Sequence, residues 1–140
     1  MTGRVEAIHV ATKKAAPTEP RERVTVVAGR GVEGDRKFDS NHDLTLVEAE
    51  ALEDAGLGFA ESRRNVVTRG VDLNGLVGVR FRVGEVECMG RRLCEPCRHL
   101  EKLEGDGLMR SLAGRGGLRA DVLSDGSIAL GDAVVSISDD

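Results

Sequence analysis

The stretch FRVGEVEC, Phe81 to Cys88, leaves the chain the fewest choices. Phe81 and Val83 alternate with Arg82, and Val86 and Cys88 alternate with Glu87. An apolar residue at every second position is the signature of a strand with one buried face. Gly84-Glu85 joins the two halves as a two-residue connection with glycine first, which a type II′ hairpin prefers. Cys88 then points inward as a small core hydrophobe.

Similar short signals recur along the chain. RVEAIHVA, Arg4 to Ala11, reads as a strand, and VTVVA, Val24 to Ala28, as a continuous β-branched strand buried on both faces. KKAAPTEPRE, Lys13 to Glu22, reads as a polar loop with two prolines, and GRGVEGDRK as a glycine loop. Leu44 to Val47 finishes a strand, and Glu48 to Ala55 follows as a short helix stopped by Gly56. Asn65 to Thr68 is a strand, and VDLNGLVG a turn-rich linker. Pro96 to Lys102 and Leu108 to Gly114 read as two further short helices. The end is all β: LRADVL, a turn over Ser124 to Ser127, IAL, a Gly131-Asp132 turn, and AVVSIS. With 18 glycines, tight turns and short elements are favoured over a helical bundle. The expected class is mainly β with short helices (α+β), a closed or half-closed small β-barrel in a single domain over 1–140.

Composition limits the function. Aromatics are 2%, with no Trp or Tyr, so stacking on nucleic-acid bases has little to work with. The net charge of −4 gives no global basic character for a nucleic-acid partner. Arginine is nevertheless clustered at Arg63-Arg64, Arg91-Arg92-Arg98, Arg115 and Arg119. Local guanidinium groups on an acidic chain fit a small anionic ligand better than a polyanion. No apolar run reaches the roughly 20 residues of a membrane span, and the N-terminus lacks the apolar core of a secretion signal. Three cysteines do not make a secreted disulfide framework, so free thiols in the cytoplasm are expected.

Two of those cysteines form RRLCEPCRHLEK, Arg91 to Lys102. Four readings stay open. A structural zinc site needs four ligands, and only one C-x-x-C pair is present, with Cys88 and His99 as the other recruits. A dithiol redox centre has the proline before its second cysteine, but the βαβ context of such motifs is missing. Buried, inert thiols are the plain structural alternative. The fourth is a single reactive thiolate at Cys97. Pro96 suits a first helical turn, whose unpaired N–H groups favour negative charge, and Arg91, Arg92 and Arg98 add positive potential. Such a thiolate is a sulfur nucleophile and a soft metal ligand. Gly114 to Gly117 lets backbone approach a ligand closely but has no Walker or dinucleotide spacing. His9, His42 and His99 are read as structural or solvent-facing.

The order RRNVVTRGVDLNGLVGVRFRVGEVECMGRRLCEPCRHLE, then GLMRSLAGRGGLRADVLSDGSIALGD, with GVEGDRK at Gly31 to Lys37, resembles the MOSC domain family, named after the C-terminal part of molybdenum-cofactor sulfurases. The resemblance covers most of the chain. It implies a small, largely β barrel-like fold. The family's hallmark cysteine follows a proline and matches Cys97, which would ligate molybdenum or carry a persulfide. Asn65 matches a polar position near the pterin or its phosphate. Members often have Gly-Glu-Asn there, whereas this chain has Arg63-Arg64-Asn65, a more basic neighbourhood. Thr68 and Arg92 are carried over from the same pattern, and Arg64 and Arg119 are expected to help hold the anionic phosphate. Asp35 is expected to hold a loop together. The implied cofactor is the molybdenum cofactor (molybdopterin). Implied activities are reduction of N-hydroxylated compounds with an electron-donor protein, or sulfur relay from a cysteine desulfurase. A non-catalytic adaptor and a C-x-x-C oxidoreductase are the alternatives.

Overall fold

A computed structural model describes residues 2–13, 16–39, 43–94 and 116–137. The hairpin is where the sequence puts it: β7 (Arg80–Val83) and β8 (Val86–Leu93) pair antiparallel with Val83 opposite Val86. Gly84 has φ 59 and Glu85 is not among the positive-φ residues. One left-handed residue, in first place, is the type II′ pattern; type I′ would need two.

Around this hairpin the strands β1 (Thr2–Val10), β5 (Asp43–Glu48), β6 (Val66–Arg69), β9 (Leu118–Val122) and β11 (Ala133–Ser136) complete a ring. Its order is β11-β7-β8-β9-β5-β6-β1, and β1 pairs back onto β11. The result is a closed seven-stranded barrel, and closure removes the open edges. Every neighbouring pair in it is antiparallel except β5–β6. A parallel pair requires a crossover, and α1 (Ala49–Ala55) supplies it, ending at the C-cap Gly56. A second sheet, β10 (Gly126–Ala129), β3 (Arg23–Val27) and β4 (Gly31–Val32), packs Val24, Val26, Val32 and Ile128 into the same core. Among the described residues the hydrophobic core is aliphatic apart from Phe81 and Cys88, both fully buried.

Several expectations change. Val24–Ala28 is not buried on both faces: β3 alternates, with Val24 and Val26 buried and Arg23 and Thr25 exposed. It lies in the outer three-stranded sheet, so only one face meets the core. The Lys13–Glu22 loop contains β2 (Glu19–Arg21), an edge strand on β1 where Pro20 is tolerated. The glycine loop contains β4. The linker holds a 3-10 turn, Leu73–Leu76, whose two leucines are buried. Asp35 does hold a loop, accepting from Ala11 N at 3.0 Å and Lys37 N at 3.2 Å. The expected helices at 96–102 and 108–114 lie outside the described residues.

Two close approaches fix strand positions. A Cβ on Gly90 would collide with the Leu76 carbonyl oxygen. Gly117 has φ 115, and a Cβ there would strike the Leu46 carbonyl oxygen. Neither backbone can move away without breaking sheet pairing.

Candidate functional site

Period-two alternation gives β5, β6, β8 and β9 two different faces. Leu44, Leu46, Val66, Leu118 and Ala120 point into the barrel core. Thr45, Asn65 and Arg119 therefore point outward. Leu93 packs on the core, and the bulge between Gly90 and Arg92 resets the alternation, so Arg92 shares the outer face and stands opposite Arg119. Arg119 in turn stands opposite Thr45. Asn65 precedes the first β5–β6 pair, Leu46 with Val66, and so lies beside Thr45. His9 comes next on β1, donating its N–H to the Asn65 carbonyl at 2.8 Å. One row thus crosses four strands and the residue that leads into β6: His9, Asn65, Thr45, Arg119, Arg92.

The buried half of the row is a hydrogen-bonded tie. Asn65 Oδ1 accepts from Thr45 N at 3.2 Å and Thr45 Oγ1 at 3.1 Å. Thr45 Oγ1 accepts from Asn65 N at 3.0 Å, and Asn65 Nδ2 donates to the His9 carbonyl at 3.3 Å. The Asn65 amide stands in for a sheet partner where β6 has not yet begun. Burial pushes the His9 pKa below its usual value of 6.5, with Glu61 opposing. His9 Nδ1 is buried and has no hydrogen-bond partner among the described residues.

The open half is cationic. Arg92 is exposed and faces half-buried Arg119; like charges directly opposite each other on neighbouring strands repel. Arg119 Nη1 donates to Asp43 Oδ2 at 3.0 Å, and the Asp43 side chain is 2% exposed. Lys37 joins this group. Burial holds its ammonium below the usual lysine value; Asp43 opposes that, while Arg119, Arg36 and Arg64 push the same way. Arg64 Nε donates to the Gly116 carbonyl at 2.9 Å. Beside it, Cys94 N donates to the Gly117 carbonyl at 2.7 Å. The end of β8 and the start of β9 are therefore stapled together next to Arg64 and Leu46.

Of the residues singled out in the sequence, Arg64, Asn65, Arg92 and Arg119 come together on this face. Thr68 does not. It shares the alternation of Val66, is fully buried, and its hydroxyl lies 3.4 Å from the Val47 carbonyl. Cys97, Arg98, His99, Arg115 and His42 lie outside the described residues. Cys94 is 5% exposed and Cys88 is fully buried, both as free thiols. Burial pushes the Cys88 thiol up to about 12, aided by Asp121 and Glu87, so it is inert at neutral pH. Among the described residues no group of three or more His, Cys, Asp or Glu could hold a metal ion. No helix among them is long and apolar enough to cross a membrane.

Lys37, Asp43 and Thr45 were not singled out from the sequence. The only local signal was Lys37 at the end of GVEGDRK; the burial of Asp43 and Thr45 has no local signature.

Comparison with known proteins gives one family. The model of the MOSC domain matches residues 40–135. No curated protein sequence gives a significant match. Among solved structures, the YuaD protein from Bacillus subtilis superposes with a TM-score of 0.79 at 19% identity, covering 99% of this chain and 98% of that one. YiiM from Geobacillus stearothermophilus gives 0.75 at 16% identity, with coverages of 97% and 75%. YiiM from Escherichia coli gives 0.67 at 17%, with 96% and 70%. At these identities the likeness is one of fold.

Proposed function

Because this chain belongs to the MOSC domain family, we propose that it binds the molybdenum cofactor on the outer face of the β8–β9–β5–β6 wall. The observation that carries the reading is the pairing of Arg92 with Arg119, with Arg64 and Lys37 nearby and Asp43 as the acidic group bonded to Arg119. Cations gathered at such density repel, and an anionic ligand relieves the repulsion. A phosphate suits forked guanidinium donors. The donor set therefore fits the anionic part of the cofactor.

Cys97 is the proposed metal ligand or persulfide carrier. It follows Cys94 by three residues in the sequence. Arg64, Arg92 and Arg119 would hold the phosphate, and their positive potential favours a thiolate. Asn65 acts here by fixing Thr45 and the end of β1. Thr68, buried on the other side of the wall, contributes to the fold. The burial of Cys94 leaves Cys97 as the sulfur proposed to react first. When bound, the cofactor supplies redox chemistry at molybdenum, such as reduction of N-hydroxylated compounds. An electron-donor protein would then be the partner; for persulfide carriage it would be a cysteine desulfurase. A reducing cytoplasm suits both.

The test is elemental analysis of protein purified from a cofactor-producing host. Wild type should carry molybdenum at a substantial fraction of one per chain, and Cys97→Ser should lose it. Equal molybdenum in both proteins, or none in either, overturns the reading.

A further inference from the structure

The turn of the β7–β8 hairpin meets the second sheet at an open cleft of about 290 Å³, lined by Arg23, Gly84, Glu85, Ser127, Ala129 and Asp132. The cleft is remote from the arginine row: Val86 opens β8 and Arg92 lies near its end, roughly 20 Å along the strand. Leu130 N donates to the Glu22 carbonyl and Ile128 stands opposite Val24, so the even-numbered residues here turn their backbone groups toward β3. Ser127 and Ala129 turn theirs the other way, along the outer edge of β10. A carboxylate meets each of them. Glu85 Oε2 accepts from Ser127 N at 2.9 Å, and Asp132 Oδ2 accepts from Ala129 N at 2.9 Å. Glycine at 84 makes room for Asp132, because a Cβ there would collide with its Oδ2.

Each carboxylate is thus anchored through one oxygen, and the other oxygen has no hydrogen bond among the described residues. Arg23 Nη1 donates to Ser127 Oγ at 3.2 Å. Among the described residues Arg23 forms no ion pair with Glu85 or Asp132, although all three line the same cleft. Arg23 and Glu85 are exposed and Asp132 is half-buried, so a ligand can reach all three. Opposite charges held apart across a gap leave a bridge for a ligand to make. Carboxylates already fixed by backbone N–H groups lose little freedom when it binds. Two negative charges and one positive are complemented by two positive and one negative. We infer that the cleft binds a small dibasic amino acid, with its two cationic groups on Glu85 and Asp132 and its carboxylate on Arg23. The guanidinium fork suits a carboxylate. The volume is at the small end for a ligand site, which fits a single amino acid.

The experiment is calorimetry on the full chain with four probes: L-lysine; cadaverine, which lacks the carboxylate; L-norleucine, which lacks the side-chain amine; and L-glutamate, whose charges are reversed. Wild type should bind L-lysine at least about threefold more tightly than cadaverine or L-norleucine, the effect of one part-exposed ion pair, and L-glutamate least of all. Arg23→Gln should bring L-lysine down to the level of cadaverine and leave cadaverine unchanged. Glu85→Gln, whose amide oxygen can still accept from Ser127 N, should weaken both. The comparison of probes on wild type stands even if a variant folds poorly. No binding of L-lysine at millimolar concentration, equal binding of L-lysine, cadaverine and L-norleucine, or unchanged L-lysine binding in both variants overturns the assignment.

Discussion

The two faces of the β5–β6–β8–β9 wall are made by the same strands and, away from Val47 and Val67 packed under α1, have opposite chemistry. Inside, Leu44, Leu46, Val66, Leu118 and Ala120 are sealed and aliphatic. Outside, Asn65 and Thr45 are also buried, yet polar, and lead to the exposed Arg92. Burial alone therefore does not separate core from site. On the inner face every buried atom is satisfied by contact with its neighbours. On the outer face buried atoms need specific partners, and His9 Nδ1 and Asp43 Oδ1 lack them among the described residues. The inner face should tolerate apolar exchange and punish lost volume; the outer face should do the reverse.

Substitutions can break that contrast. Phe81→Ala empties the largest fully buried side chain of the barrel interior, on β7, and should cost about 3–5 kcal/mol in urea unfolding. A smaller or absent loss would mean that the barrel interior collapses around the gap. Raising the pH tests the same interior through Cys88. Its thiol is held up at about 12 against an ordinary 9.0, so the folded state keeps a proton that the unfolded chain releases. Stability is full below pH 9 and should fall as pH rises from 9 toward 12. Cys88→Ala should flatten that slope.

On the outer face, Asn65→Ala leaves the Thr45 N–H and the His9 carbonyl without their partner and should cost about 1–3 kcal/mol, while Asn65→Leu, though apolar, should be no better. If leucine is accepted there, this face is ordinary core. His9 gives a gentler acid-side effect. Its pKa is lowered on folding, so the stabilisation is present above pH 6.5 and lost as pH falls below it, and His9→Leu should weaken the dependence. Arg92→Ala should change stability by less than about 0.5 kcal/mol. It should nevertheless weaken inorganic phosphate binding measured by calorimetry, because Arg92 sits at the open end of the row.

Much of the barrel was legible residue by residue. Alternation in Phe81–Cys88 and the glycine at 84 specify the hairpin through local sterics alone, and Gly56 marks the stop of α1. The short strands β2 and β4 were not legible, because two or three residues carry no period and their pairing depends on a distant neighbour. For the site, the arginine clustering named Arg64, Arg92 and Arg119, which the fold brings onto one face. Asn65 is in the row, but its amide is engaged by Thr45 and His9, which no spacing in RRN reveals. Thr68 was carried over with Asn65 from the family pattern, but their odd separation along a strand sends the two side chains to opposite faces.

By itself the sequence determined what is local: turns, alternation, a cation-rich surface on an acidic chain, and a family pattern around Cys97. Only the tertiary structure decided which of two identical-looking polar positions is buried and which is wet. Thr2–Arg4 must meet Ala133–Val135, more than a hundred residues away, before the barrel closes. Asp43 becomes a buried carboxylate beside Arg119 and Lys37 because β5, β9 and the Asp35 loop converge there. Burial and charge coupling depend on what packs from elsewhere in the chain, and no window of adjacent residues contains that information.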